Sequence, residues 1–294
     1  MLSLKTILVP VDFSERSKKA AEHGLLLARH FDSKLVFAHV IPPSPLEYAG
    51  FDGGYYTGAV WPSQEDMDQN ARKQMEFLVK AVSPGRPAEQ VVLRGDPAAE
   101  IEQLVQQRKV DLLVMPTHGY GPFRRLILGS ITTKILHEVS CPVFTGAHIP
   151  EVTVFDPDPY KRVACAVDLG EHSEAVLRWA WDFTCAYEQD LTVIHAAPLL
   201  EVGGTYGEWF PPQSRQALVE AARGEVEKLV QKVGCKAQIF VDSADPVRYV
   251  RDVTDQGYAD ALVIGRTPRH GLLGRLRTHA YAFIREAPCP VISV

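Results

Sequence analysis

"VDFSERSKKAAEHGLLLARHFDSKLVFAHV" fills residues 11–40, and "VDLGEHSEAVLRWAWDFTCAYEQDLTVIHA" fills residues 167–196. Laid over one another so that Val11 falls on Val167, the two stretches match Asp12 with Asp168, Ser17 with Ser173, Leu35 with Leu191 and His39 with His195. Both read the same way. An apolar run ends in a carboxylate, a segment with helical spacing follows, and a second apolar run closes the unit. In the first copy Ala20, Ala21, Gly24, Leu25, Ala28 and Phe31 recur every three or four positions, which is the period of an amphipathic helix. Ser14 or Glu15 stands where the N-cap belongs. The pattern is strand, helix, strand, and it occurs twice.

Outward from this unit the landmarks continue in step. "RGDPAAEI" faces "DSADPVRYV", "VDLLVMP" faces "ADALVIG", and "CPVFTG" faces "CPVISV" at Cys141 and Cys289. A repeat of this length is a duplicated domain rather than a solenoid. The expected division is a first domain over 1–148, a linker over 149–159 containing the proline-rich "IPEVTVFDPDP", and a second domain over 160–294. "EVTVF" has the composition of a short edge strand. In the first copy "KTILVPV", "KLVFAHVI", "EQVVLRG", "VDLLVMP" and "CPVFTG" read as strands. Between them a helix is predicted over Gln64–Val82, with Met67, Ala71, Met75, Leu78 and Val82 on one side. Further helices are predicted over "PAAEIEQLVQQRK", with Pro97 in its first turn, and over "SITTKILHEV". Strands that are continuously apolar and alternate with helices indicate mostly parallel, doubly wound five-stranded α/β sheets with helices on both faces.

The bulk properties exclude several function classes. The chain has 294 residues, 46% hydrophobic and 23% charged, with a formal net charge of -5. No basic stripe suggests nucleic acid or a membrane surface. No apolar run is long enough to span a bilayer, and the N-terminus lacks the pattern of a signal peptide. The five cysteines form no CxxC and no Cys/His cluster, so inert buried thiols in a reduced cytoplasm are expected for all five. No P-loop, HExxH, GxSxG or kinase signature is present.

Right-handed crossovers put the loops after the strands on one edge, where open α/β sheets bind ligands. Asp12, Val40, the loop Pro116–Leu128 and Ser130 therefore converge there. Asp12 reads either as a loop or cap carboxylate or as an acceptor for a ligand's amino group. Gly129–Ser130 at a helix start offers backbone N–H groups, the positive dipole end and a hydroxyl, while Gly119, Gly121, Arg124 and Arg125 precede it. The alternative is a turn whose serine only caps its helix. The residues alone leave both readings open.

At these residues the sequence resembles a tandem universal stress protein. Gly119, the nine residues Tyr120–Leu128, then Gly129 and Ser130, match the latter part of that family's G-x-x-G-(nine residues)-G-[ST] element. "THG", "RRLILGS", "CPV" and the opening "ILVPVDFSERSKKAAEHG" fit it too. The resemblance covers both halves. It implies a Rossmann-like fold of the adenine nucleotide alpha hydrolase kind and binding of ATP, with Mg²⁺ held mostly by phosphate and water. It implies that Asp12 and the backbone at Val40 read adenine beside Pro10, Val11 and Met115. Pro116 and Gly119 pass under the ribose and phosphates, and Gly129, Ser130, Ile131 and Thr132 hold phosphate. It also implies that the last strands of the two halves pair, making an internal pseudo-dimer to which further copies or an unnamed protein partner can add.

Two departures stand out. The element's first glycine is Pro116, which has no N–H and a fixed φ. In the second half Gly265 keeps that glycine, Pro268 takes the second, and Arg277–Thr278 replaces Gly129–Ser130. Side chains then fill the phosphate cradle, and the second half is expected to bind nucleotide weakly or not at all. Arg266, Arg269, Arg275 and Arg277 leave it locally basic. The aromatic, Gly- and Pro-rich segments 42–63 and 198–213 read as lids, interfaces or plain loops. His39 and His195, at equivalent strand ends, read as packing and hydrogen-bonding residues. His118 is the one candidate base for a slow ATPase, and it has no orienting carboxylate. The expected function is a cytoplasmic, ATP-binding regulatory protein of the stress response. A weakly hydrolytic enzyme and a scaffold that binds no nucleotide are the alternatives.

Overall fold

The computed structural model of the chain describes residues 2–43, 63–117, 128–145, 160–197, 212–266 and 278–294. They form two compact units, one of Leu4–Pro122 with Gly129–Cys141 and one built chiefly of Pro142–Val294.

The amino-terminal unit runs β1 (Thr6–Pro10), α1 (Glu15–His30), β2 (Lys34–Ile41), α2 (Gln64–Val82), β3 (Glu89–Arg94), α3 (Pro97–Arg108), β4 (Leu112–Val114) and α4 (Ser130–Glu138). Its strands lie in the order β3-β2-β1-β4 and all pair in parallel, with Leu8 opposite both Val36 and Leu113. Ile7, Leu8, Val9, Phe37, Leu112 and Leu113 are wholly buried, and each such side chain contributes about 1.5–3 kcal/mol relative to exposure. α1 packs beside α2, and α3 beside α4. Because the order reverses after β3, the two helix pairs cover opposite faces. Gly24 lets α1 press onto the sheet: a Cβ there would sit 2.5 Å from Val9 Cγ2.

Local chemistry sets the helix ends. Ser14 caps α1, its Oγ accepting from Ser17 N at 3.2 Å. Asp96 caps α3 through Ala99 N at 3.0 Å, with Pro97 in the first turn. α2 has the bounds that its apolar period predicts, and its start is a reciprocal capping box between Ser63 and Asp66, a signal (S-x-x-D) that the periodicity reading did not use. The hydroxyl of Ser63, and then its N–H, hold the Asp66 carboxyl below its ordinary pKa.

The carboxyl-terminal unit contains β5 (Val143–Thr145), β6 (Arg162–Ala166), α5 (Ser173–Ala186), β7 (Asp190–Ala197), α6 (Pro212–Val233), β8 (Ala237–Ser243), α7 (Pro246–Val253), β9 (Ala261–Ile264), α8 (Thr278–Glu286) and β10 (Val291–Ser293). Its strand order is β5-β10-β9-β6-β7-β8. β10 pairs antiparallel with β5, Ile292 opposite Phe144, and the remaining pairs are parallel. Each sequence repeat thus supplies five described strands, but the fifth strand of the first repeat packs in the second unit, joined to its own counterpart. Each last strand offers an unpaired edge, and pairing the two satisfies both. Tyr160 is wholly buried in this unit, its ring 5.9 Å from Phe144, 5.9 Å from Phe183 and 5.5 Å from Tyr187. Burial pushes its hydroxyl pKa well up. "EVTVF" and most of the two aromatic segments lie outside the described residues.

One expectation fails here. Cys141, Cys165, Cys235 and Cys289 are buried, but Cys185 is exposed. It sits in the last turn of α5, on the side turned from the sheet, and helix phase rather than residue type decides that. Burial pushes the thiol of Cys289 up to about 12 and that of Cys165 higher.

Candidate adenine-nucleotide site

β1 and β4 end side by side, and the chain leaving β1 folds over that edge. Val11 N donates to Ala38 O at 2.8 Å. Val11 O in turn lies 2.8 Å from His39 Nδ1. A carbonyl can only accept, so Nδ1 carries the hydrogen and Nε2 is left as the ring's other polar atom. Phe13 follows with φ 63°, a left-handed conformation costing roughly 1–2 kcal/mol for a residue with a side chain. Its ring lies 4.4 Å from that of His39. Asp12 Oδ1 accepts from Ser14 N at 3.0 Å and from Ser14 Oγ at 2.6 Å. The carboxylate therefore orients the residue that caps α1.

The second repeat reproduces this turn with one change of partner: Gly170 stands in place of Ser14, and the hydroxyl that meets the aspartate comes from Ser173, the counterpart of Ser17. Asp168 Oδ1 accepts from Gly170 N and Ser173 Oγ, both at 2.8 Å. Leu169 has φ 59°, and His195 Nδ1 lies 2.8 Å from Val167 O. Both histidines thus have the hydrogen-bonding role read from their places in the repeat.

A cleft of about 340 Å³ opens beside this turn, with Asp12, Phe13 and His39 on the strand side and Met67, Asn70 and Gln74 on the α2 side. Pro10, Val11 and Met115 are buried at the neighbouring ends of β1 and β4, and the cleft's lining does not include them. Val40 is also buried. It pairs with Leu93 on one side and lies two residues past the last β1 partner, Ala38, on the other. The α2 residues were not legible as site residues, since only packing decides which helix stripe faces the cleft. A second cleft, about 560 Å³, lies at the amino ends of β2 and β3. Its cations are spent on neighbours, Lys34 on Glu89 at 2.5 Å and Arg86 on Asp32, Ser33 O and Ala28 O. It lies on the wrong edge of the sheet for a ligand.

The start of α4 forms the other part of the site. Gly129 is the N-cap and no side chain caps the helix. Ser130 is therefore the first helical residue, exposed, and not a cap. The first helical bond is Thr133 N to Gly129 O at 2.8 Å, so the N–H groups of Ser130, Ile131 and Thr132 come ahead of the ladder. Two of the groups expected to face phosphate have partners within the fold. Gly129 N donates to Thr117 O at 3.0 Å, which takes that N–H away from any ligand. Thr132 is buried, and its hydroxyl donates to Pro116 O at 3.2 Å, so it braces the loop. Gly119, Gly121, His118, Arg124 and Arg125 lie outside the described residues.

The second repeat starts α8 at Thr278, the counterpart of Ser130. A Cβ on Gly265 would lie 3.1 Å from Val176 Cγ2. The first repeat has Ala20 in place of Val176 and Pro116 in place of Gly265. A side chain at Gly265 would thus crowd the branched Val176 in one copy, where the other copy sets the smaller Ala20 against Pro116. Pro268, Arg269, Arg275 and Arg277 lie outside the described residues.

Among the described residues no group of three or more His, Cys, Asp or Glu side chains is placed to hold a metal. No described helix is long and apolar enough to cross a membrane.

Comparison with known proteins agrees with this architecture. The model of the universal stress protein family matches residues 3–145 and again 159–294. Universal stress protein MJ0531 of Methanocaldococcus jannaschii is 30% identical over 139 residues, 47% of this chain and 79% of its own length. A universal stress protein of Mycolicibacterium smegmatis is 25% identical over 280 residues, 92% of this chain and 90% of its own. The crystal structure of a universal stress protein from Archaeoglobus fulgidus shares the fold, with a TM-score of 0.67 at 18% identity, covering 98% of this chain and 97% of that one.

Proposed function

Given that the chain belongs to the universal stress protein family, in a tandem arrangement, we propose that its amino-terminal unit binds ATP and that occupancy regulates the protein's interactions under stress. The observation that carries this reading is the start of α4, where Gly129 leaves the helix without a side-chain cap and three N–H groups precede the first helical bond. Such a terminus favours an anion through its donors and its dipole. Ser130, Ile131 and Thr132 would supply the N–H groups and Ser130 the hydroxyl. Pro116, braced by Thr132, would lie under the ribose with Gly119. The base would enter the cleft at Asp12 and meet the backbone at Val40, with Pro10, Val11 and Met115 at the adjoining strand ends. Asp12 Oδ1 is held by Ser14, which leaves the rest of the carboxylate to meet an amino group. A Mg²⁺ ion would ride mostly on the phosphates and water.

The second unit keeps the Asp168 turn but has arginine before Thr278 where the first has Gly129 before Ser130, so it serves as the pseudo-symmetric partner and binds nucleotide weakly or not at all. Net negative charge and scattered cysteines are consistent with a cytoplasmic setting. Further association between copies, and an effector protein, complete the proposed regulatory role. Hydrolysis is at most slow.

The test is a calorimetric titration of ATP·Mg²⁺ into wild type and Gly129→Arg. Gly129 has φ -60° and ψ 146°, which any residue adopts, and circular dichroism checks that the variant is folded. Micromolar binding in wild type that Gly129→Arg abolishes is the expected result. Equal binding by both sinks the proposed phosphate site, and no binding by wild type at millimolar ATP favours the scaffold.

A further inference from the structure

We infer that α2 carries the base-selecting residues of this site: the amides of Asn70 and Gln74 choose a 6-amino purine over a 6-oxo purine, and Arg94 positions them. The inference rests on the reading of the site as a nucleotide site, and it adds residues that lie outside the phosphate-binding loop and the turn after β1.

Four observations lead to it. First, the opening turn of α2 is pinned to the same sheet edge as Asp12. The Arg94 guanidinium, from the last residue of β3, donates to Gln64 O at 2.5 Å and pairs with Asp68 at 3.1 Å. The capping box of Ser63 and Asp66 fixes the same turn from the other side. Second, Met67, Asn70 and Gln74 follow from that turn three and seven residues along, so they share one stripe of the helix, and all three line the cleft facing Phe13 and His39. Third, both amides are exposed, and neither has a hydrogen-bond partner among the described residues. The helix that carries them is anchored at its first turn, and their polar ends are unspent. Fourth, the cleft's volume of about 340 Å³ falls in the range of small-molecule sites, roughly 300–1,000 Å³.

The chemistry of the lining then selects among bases. An amide presents a donor and an acceptor together, which complements the N6 amino group and N7 of adenine. The acceptor pair O6 and N7 of a 6-oxo purine calls instead for a cationic fork, and no lysine or arginine lines the cleft. The Asp12 carboxylate adds a second acceptor for an amino group and repels an oxo group. Phe13, Ile41, Met67 and Ala71 supply the apolar faces against which a flat base packs.

The experiment measures binding of ATP, ITP, adenosine, inosine and inorganic tripolyphosphate to the full chain by calorimetry. Wild type is compared with Asn70→Ala, Gln74→Ala, their double variant and Arg94→Met, and circular dichroism confirms that each is folded. A preference of roughly tenfold or more for ATP over ITP is expected in wild type, the size of one good paired contact. The double variant should bring the ratio near one while tripolyphosphate binding stays unchanged, and Arg94→Met should lower the ratio in part. An ATP/ITP ratio that the α2 variants leave unchanged overturns the inference and leaves the ATP reading standing. If ATP does not bind but adenosine does, with a preference over inosine that Gln74→Ala removes, the phosphate reading falls and the inference stands. If neither binds, both fall.

Discussion

The Thr132 hydroxyl donates to the main-chain oxygen of Pro116 at 3.2 Å, across a loop whose other closure is Gly129 N to Thr117 O at 3.0 Å. The two bonds join the end of β4 to the first turn of α4 at both margins of the loop that precedes the helix. Thr132→Val keeps the shape and removes the donor to the half-buried Pro116 carbonyl. Stability should fall by about 1 kcal/mol, read as a lower urea midpoint with an unchanged slope. ATP affinity should fall several-fold, because the loop loses its brace, and calorimetry checks it.

Gly24 and Val9 form a matched pair. At the corresponding places the second repeat has Ala180 and Cys165, both wholly buried. One copy sets a branched strand residue against glycine, and the other a smaller strand residue against alanine. Gly24→Ala puts a Cβ 2.5 Å from Val9 Cγ2 and should destabilise by about 1–3 kcal/mol, although alanine is the better helix former by about 1 kcal/mol. Adding Val9→Cys should recover most of the loss. A thermal-melting double-mutant cycle reads the coupling, and additive effects would refute it.

Glu89 is hydrogen-bonded by Lys34 and by Arg108. Lys34 first, and then Arg108, hold its carboxyl below the ordinary 4.5, against the opposing effect of burial. A depressed folded-state pKa contributes stability that is fully present above 4.5 and is lost as pH falls through the folded-state value. Wild type should therefore be more stable than Glu89→Gln at pH 7. The two should converge as pH drops below 4.5, which urea unfolding at a series of pH values follows.

Cys185 is the exposed thiol among the described cysteines. A small aromatic disulfide reagent should label one thiol per native chain within minutes and all five after unfolding. Cys185→Ser should abolish the fast phase. A second fast thiol would mean that the buried cysteines are less protected than the fold requires.

Much of the fold was legible because its signals are local or periodic. The stripe Met67, Ala71, Met75, Leu78 and Val82 gave both ends of α2 as the structure has them, since a core-facing stripe is a property of the segment itself. Asp12, Val40 and Ser130 were assigned to one sheet edge by crossover handedness alone. The roles of individual atoms were not legible. That Thr132 braces Pro116, that Gly129 N is taken by Thr117 and that Asp12 orients Ser14 are hydrogen bonds of particular geometry, and residue type does not choose among the partners within reach.

What the sequence by itself determined is the duplication, the alternation of strand and helix, the helix bounds and the loss of the glycine cradle in the second copy. All of these are written in spacing and residue type. The tertiary structure alone decided the antiparallel register in which β5 joins β10, that Cys185 is exposed, and that α2 turns Asn70 and Gln74 toward Phe13 and His39. Each of those depends on which surfaces meet once apolar faces are buried, and that is a relation between segments far apart in the chain.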